Sequence, residues 1–346
     1  MAPRGATRLY ASAMLALVLC GVVLSSSGCV GRSGFPAALN DQEFWSLIET
    51  LSEPAGTFNI SDNLVSNEPR FAETVRRLGP AGGVYIGVGP EQNFSYIARL
   101  RPAMAFIVDI RRENRNLHLW YKALFELSTD RADFVSRLFS RPRPPGLRST
   151  ASADEIFKQF DDVRPSPEQY GRNTTLVRER LLTTRGLPLS QIDLDWIDHV
   201  SKAFYADGPE IQFWGSRKVD GAARPSYRQL MTAQDFTGRS RSFLATDDGF
   251  RFVKDLQSRN MIVPVVGDFG GPTAIRRVGD YVREHANVVH AFYGSNVGVY
   301  LNNEQTRAFC RNLASLPAAP GDWFIEMDGV RSLSSKLKTC PAEAER

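Results

Sequence analysis

The sequence predicts an α/β fold, a mostly parallel sheet with helices on both faces. Three observations carry that expectation. Short apolar runs alternate with helix-periodic segments through most of the chain. The first run, Val84–Ile86, opens into Gly87-Val88-Gly89, a turn tight enough to send the backbone straight into a helix. The second run, Ala103–Val108, ends on Asp109, an acid at the carboxyl end of a strand. Strand, glycine turn, helix, strand, acid is a Rossmann-like order, the first half of a nucleotide-binding sheet.

The N-terminus has another character. Arg4 and Arg8 precede an apolar run, Met14–Leu24, which is too short for an ordinary bilayer span and has the length of a signal-peptide core. Small residues then lead to Gly28-Cys29. This ending resembles a bacterial lipoprotein signal, in which the cysteine is lipid-modified, although Ser26 stands where leucine is usual. Ordinary secretion with cleavage nearby is the alternative. The expectation is a signal over 1–29 with Cys29 lipidated, and export to the cell envelope with a lipid anchor facing the periplasm. A tether over 30–41 and one domain over 42–340 follow, the domain carrying a helical insertion at about 141–240.

Composition narrows the partners. At 42% hydrophobic and 23% charged residues the chain is that of an ordinary globular protein rather than a disordered one. The formal net charge of +4 includes Arg4 and Arg8, too little to argue for a nucleic-acid partner. His118, His199, His285 and His290 are isolated and no Cys-x-x-Cys occurs, so no metal site is expected. Cys310 and Cys340 can pair in an oxidising compartment.

The elements follow in order. Phe44, Leu47, Ile48 and Leu51 have helical spacing within 42–52. A polar stretch leads to Glu68-Pro69, a helix start, and FAETVRRL runs to Gly79-Pro80. Asn93–Leu100 is the helix after the glycine turn, and Glu113 to about Phe139 is a further helix ended by RPRPPG. Residues 147–240 read as helices separated by polar turns, either a lid or plain covering structure. Alternation then resumes. A helix at Phe250–Gln257 is capped by Asp247, and a strand at Met261–Val266 ends in Gly267-Asp268. A helix over 272–283, a strand at Val288–Tyr293 ending in Gly294-Ser295-Asn296, a helix over 302–313 and a last strand at Trp323–Met327 complete the chain.

In such a sheet ligands sit at the carboxyl ends of the strands. Gly87 and Gly89 let backbone approach a ligand, or form a turn that serves packing alone, and Glu91 opens the following helix. Gln92 replaces the third glycine of G-x-G-x-x-G and Pro90 lies inside the turn, which disfavours a dinucleotide pyrophosphate. Asp109 can accept from a ribose diol, or it can pair with Arg111 or Arg112. Asp268 follows the third strand; in class I methyltransferases, whose strand-end order this chain resembles, an acid there meets an adenine amino group. Tyr293, Ser295 and Asn296 close or follow the fourth; the same resemblance implies Tyr293 and Asn296 as the candidates for orienting a reacting group. Asn63, Ser66, Asn67 and Glu68 can close over a bound ligand; a helix-capping arrangement is the other reading of that segment.

The segments SDNLVSNE (61–68), VYIGVGPEQNFSYI (84–97), VDIRREN (108–114), ATDDGF (245–250), VPVVGDFGG (263–271) and FYGSNVGVYL (292–301) resemble a bacterial, often lipoprotein-like family of unassigned activity. Its core is similar to class I S-adenosylmethionine-dependent methyltransferases, and the likeness covers roughly 42–316. Gly298 stands where that family often has an acid. The resemblance implies a pocket for a nucleotide-type small molecule, with S-adenosylmethionine as the candidate cofactor. G-x-S-x-G, H-E-x-x-H and P-loop signatures are absent. The acids Asp161-Asp162 and Asp193/Asp195 read as solvated helix faces or caps. Three functions remain: an exported binding module with a methyltransferase-like fold, an active methyltransferase whose cofactor is made on the other side of the membrane, or a nucleotide- or sugar-modifying enzyme using the same pocket.

Overall fold

A strand covered on both faces reads as a continuous apolar run rather than as alternation. That is how three strands form here. In the computed structural model, which describes residues 34–58, 62–213 and 224–341, β1 (Val84–Gly87), β2 (Met104–Asp109) and β3 (Ile262–Val266) are buried along their whole length. With β4 (Val289–Ser295), β5 (Trp323–Glu326) and β6 (Gly329–Ser332) they make a six-stranded sheet of order β3-β2-β1-β4-β5-β6. Pairings among the first five are parallel, and β6 runs antiparallel to β5. The predicted α/β class, with a mostly parallel sheet, is the fold observed. The described residues belong to one compact unit, 32–346. The signal over 1–29 with Cys29, and the start of the tether, lie outside the described residues.

Pro264 sits in the middle of β3, which a central strand would not tolerate. β3 is an edge, so the missing N–H costs no ladder bond on its outer side. The chain covers part of that edge itself. After α1 (Asp41–Leu51), Ser52 Oγ accepts from the Val266 N–H at 3.0 Å and the Glu53 N–H donates to the Val266 carbonyl at 2.8 Å.

Helices α2 (Phe71–Arg77), α3 (Gln92–Leu100) and α4 (Arg112–Leu127) follow. The single helix expected over 113–139 is two, because Ser128-Thr129-Asp130 interrupts it and Asp130 caps α5 (Arg131–Phe139) by accepting from the Asp133 N–H. The insertion holds α6 (Ala153–Gln159), α7 (Pro167–Arg178) running into a π-helical turn, Glu179–Thr184, then α8 (Gln191–Asp207) and α9 (Tyr227–Thr232). It packs mainly on α4 and α5. Asp193, expected on a solvated face or as a cap, completes a capping box with Ser190 at the start of α8, and it is buried and pins α8 to α4. It receives both Arg112 (2.8 and 2.7 Å) and Arg115, and accepts from Asn116 at 2.9 Å.

α10 (Asp247–Ser258) is capped by Thr246, whose Oγ1 accepts from the Gly249 N–H, and not by Asp247. Asp247 instead lies in the first turn, where a carboxylate complements the helix dipole. α11 (Ala274–Glu284) and α12 (Asn303–Ala314) flank β4 in sequence. The hairpin β5–β6 and the closing α13 (Leu333–Lys338) were not expected. Asp328-Gly329 is a hairpin signal that marks the missed turn. A Cys310–Cys340 disulfide ties α12 to the segment after α13 across 30 residues.

Candidate ligand-binding site

The sheet order changes direction at β1, which has β2 on one side and β4 on the other. This is the switch point where α/β sheets bind ligands. A cavity of about 210 Å³ opens there, at the carboxyl ends of β1 to β4. Of the residues singled out in the sequence, it is lined by Asn63, Ser66, Asn67, Glu68, Gly89, Asp109, Asp268, Tyr293, Ser295 and Asn296, among others. Gly87 and Glu91 do not line it.

Gly87 serves packing, not ligand approach. A Cβ there would stand 2.0 Å from Asn93 Oδ1 and 2.6 Å from the Tyr85 hydroxyl. Those two groups lock the turn. Asn93 Nδ2 donates to the carbonyls of Val88, Gly89 and Pro90, at 3.0, 3.1 and 2.7 Å, and Asn93 Oδ1 accepts from Tyr85 Oη at 2.9 Å. His118 adds a bond to the same turn: Nε2 lies 2.8 Å from the Gly89 carbonyl and donates to it. Burial holds the His118 pKa down at about 4, so the ring is neutral at pH 7. Gly89 itself has φ +76° with open space beside it, a conformation that favours glycine and keeps the cavity wall bare.

Glu91 turns inward. Both its oxygens accept from the Ser66 N–H, at 3.1 and 3.2 Å, tying the segment 62–68 down beside the glycine turn. Burial, with the Glu68 carboxyl nearby, raises its pKa to about 8. It is therefore a protonated structural acid at pH 7, not a ligand contact.

Glu68 has the role that capping did not claim: α2 starts at Phe71 without any side-chain cap. Glu68 is buried, and its Oε1 accepts from Tyr293 Oη at 2.6 Å and from Ser295 Oγ. Oε2 is buried and has no hydrogen-bond partner among the described residues. Burial raises its pKa, and the two hydroxyls oppose the shift. The charged or titratable groups facing it are Tyr293 of β4, Tyr96 of α3, Tyr85 of β1, Glu91 and, from the β5–β6 turn, Asp328. The register shifts between Tyr293 and Ser295, and Ser295 has φ +48°. A bulge of this kind re-aims a side chain, here the Ser295 hydroxyl at Glu68.

Asp109 lines the cavity in the ion-pair arrangement, the alternative to a free ribose acceptor. Arg111 donates its N–H and Nε–H to Oδ1 (2.9 and 3.0 Å) and an Nη2–H to Oδ2 (3.0 Å). A carboxylate offers about four acceptor sites, so a ribose diol would have to share Asp109 with Arg111. Asp268 accepts from the Gly270 N–H at 2.8 Å through Oδ1. The nearby start of α11 is already occupied: Glu53 Oε1 accepts from the N–H groups of Thr273 (2.6 Å) and Ala274 (2.7 Å). Phe58 and Tyr300 meet edge to face at 4.9 Å on the apolar side of the cavity, with Phe213 and Phe269 also lining it. Phe213 is the insertion's contribution among the described residues.

A family model described as a domain of unknown function, DUF7790, matches residues 63–164 and 215–325, more than half of the chain. The chain belongs to that family. The match begins at Asn63 and ends within β5, so it takes in the cavity's switch-point strands and the segment 63–68. It omits 165–214, which hold α7 and α8. A search of curated proteins gives no match.

Sequence reasoning missed Asn93, His118, Phe58 and Tyr300. Asn93 had a legible signal. It lies three to five residues after the turn carbonyls, a distance from which a carboxamide can reach back to cap them. Nothing local marked the others.

Proposed function

We propose that the protein is an exported, lipid-anchored binding protein that holds a nucleoside-type small molecule in the switch-point cavity, with S-adenosylmethionine as the first candidate. One observation carries the reading: a cavity over β1 and β4 brings together Asn63, Gly89, Asp109, Asp268 and Ser295 from five separate segments. Export draws support from the Cys310–Cys340 disulfide, a bond that persists in oxidising compartments. Binding accounts for the arrangement better than methyl transfer does. Tyr293 spends its hydroxyl proton on Glu68 and is held protonated by burial, which leaves it poorly placed to activate a nucleophile.

Calorimetric titration of the full chain with S-adenosylmethionine and S-adenosylhomocysteine tests the nucleoside reading. Saturable heat is expected from at least one, and Asp109→Asn should weaken it by about tenfold through the lost charged hydrogen bond. A folded protein that gives no heat with either compound refutes the reading. The anchor is tested separately, by metabolic labelling with a radioactive fatty acid. Label is expected on the natural chain and not on Cys29→Ser; a labelled Cys29→Ser chain would remove Cys29 as the site.

A further inference from the structure

The polar groups of the cavity are unevenly spent. Among the described residues its walls carry three carboxyls, Glu68, Asp109 and Asp268, against one guanidinium, Arg111. Arg111 is already committed to Asp109. The hydroxyls of Tyr293 and Ser295 are committed to Glu68. The start of α11, which could have received an anion, is filled by the Glu53 carboxylate. Two cavity-lining residues each hold a buried oxygen without a partner among the described residues: Asn63 Oδ1, an acceptor, and Glu68 Oε2, an acceptor when that carboxyl is ionised.

We propose that the cavity selects a small organic cation, its charged head held by Glu68 Oε2 and its apolar body laid along Phe58 and Tyr300. A buried acceptor is costly to leave unpaired and is best satisfied by a charged donor. Aromatic rings lining the same cavity attract positive charge over their faces, as the Arg111 guanidinium 5.9 Å from the Phe58 ring centre already illustrates. An anionic ligand meets the reverse: Asp268 and an ionised Glu68 repel it, and the Arg111 guanidinium, the one cationic group lining the cavity among the described residues, is engaged by Asp109. A phosphorylated nucleotide is therefore rejected by charge, independently of the missing third glycine. Burial raises the Glu68 pKa, and a cation bound beside it favours the ionised form; at 2% exposed the pair is then little screened by solvent.

The proposal rests on the reading that this cavity binds a small molecule, but not on that molecule being a nucleoside. Its test uses three probes with one body and different heads: 2-phenylethylamine, 2-phenylethanol and phenylacetate. Each is titrated into the full chain and followed by ligand-observed NMR. The amine is expected to bind about tenfold more tightly than the alcohol, with the carboxylate weakest. Glu68→Gln should level the amine and the alcohol. The proposal is overturned if the alcohol or the carboxylate equals the amine on the natural chain, or if the amine shows no saturable binding. The natural chain alone decides this, whether or not Glu68→Gln folds. Loss of adenosyl binding with the amine order intact removes the nucleoside reading and leaves this one standing. Adenosyl binding with a flat order does the opposite.

Discussion

Glu91→Gln is expected to leave stability unchanged below pH 4.5 and to raise it by about 3–5 kcal/mol above about pH 8. The reason is the buried position of the Glu91 carboxyl. Unfolded, it titrates near the ordinary 4.5; folded, it holds its proton to about 8. Between those values folding takes up a proton, so the natural protein loses stability as pH rises through that window. Above it the full cost of burying the charge remains. Glutamine resembles the protonated acid in shape and keeps an oxygen for the Ser66 N–H, but never ionises. The gap between variant and natural protein should open from pH 4.5 to about 8 and then stay constant, about 5–10 °C in melting temperature. Parallel melting curves across that range would show that Glu91 is not a buried protonated acid. His118 works from the other side. Its folded pKa of about 4 lies below the ordinary 6.5, so its contribution is lost as pH falls between those values. The two groups together place the stability plateau between about pH 4.5 and 6.5.

Gly87→Ala is expected to destabilise the protein by about 1–3 kcal/mol, the cost of forcing atoms into a filled core. The added methyl would land on Asn93 Oδ1 and the Tyr85 hydroxyl, the pair that locks the glycine turn. Both must move, and the carbonyls of Val88, Gly89 and Pro90 lose their common donor. Gly89→Ala meets no atoms but must hold φ +76°, at a cost of about 1–2 kcal/mol. The two glycines should separate in a second measurement. Gly89→Ala puts a methyl on the cavity wall and should weaken ligand binding beyond its effect on stability. Thermal melts show whether the first substitution is the more damaging. Equal losses, or a rescue of Gly87→Ala by a bound ligand alone, would count against a packing role for Gly87.

These two residues show where local reading fails. A G-x-G turn after a strand can bring backbone to a ligand or serve packing, and the sequence left both readings open for the pair. The turn is where the sequence places it, but only Gly89 faces the cavity. Gly87 is a glycine because Asn93 and Tyr85 fill the space its side chain would need. Glu91 was expected among the ligand contacts for its place at the head of α3, and it faces the core instead. Asp109 was legible in both of its readings, since Arg111 lies two residues away. The choice between them depended on side-chain geometry that spacing does not encode.

What the sequence determined by itself was the set of parallel strands, β1 to β5, though not the β6 hairpin. Runs such as MAFIVD and IVPVV can be satisfied only between two covered faces, and the glycines and acids at their ends follow from the strand boundaries. Apolar periodicity records which surface is buried. It does not record what meets that surface. The tertiary structure alone decided that Glu68 reaches Tyr293, 225 residues away, and leaves one oxygen unpaired. It also decided that Glu53 closes the start of α11 and that Glu91 keeps its proton. Each depends on burial and on partners brought from distant segments, which fix a carboxyl's charge and bonding more strongly than its neighbours in the chain.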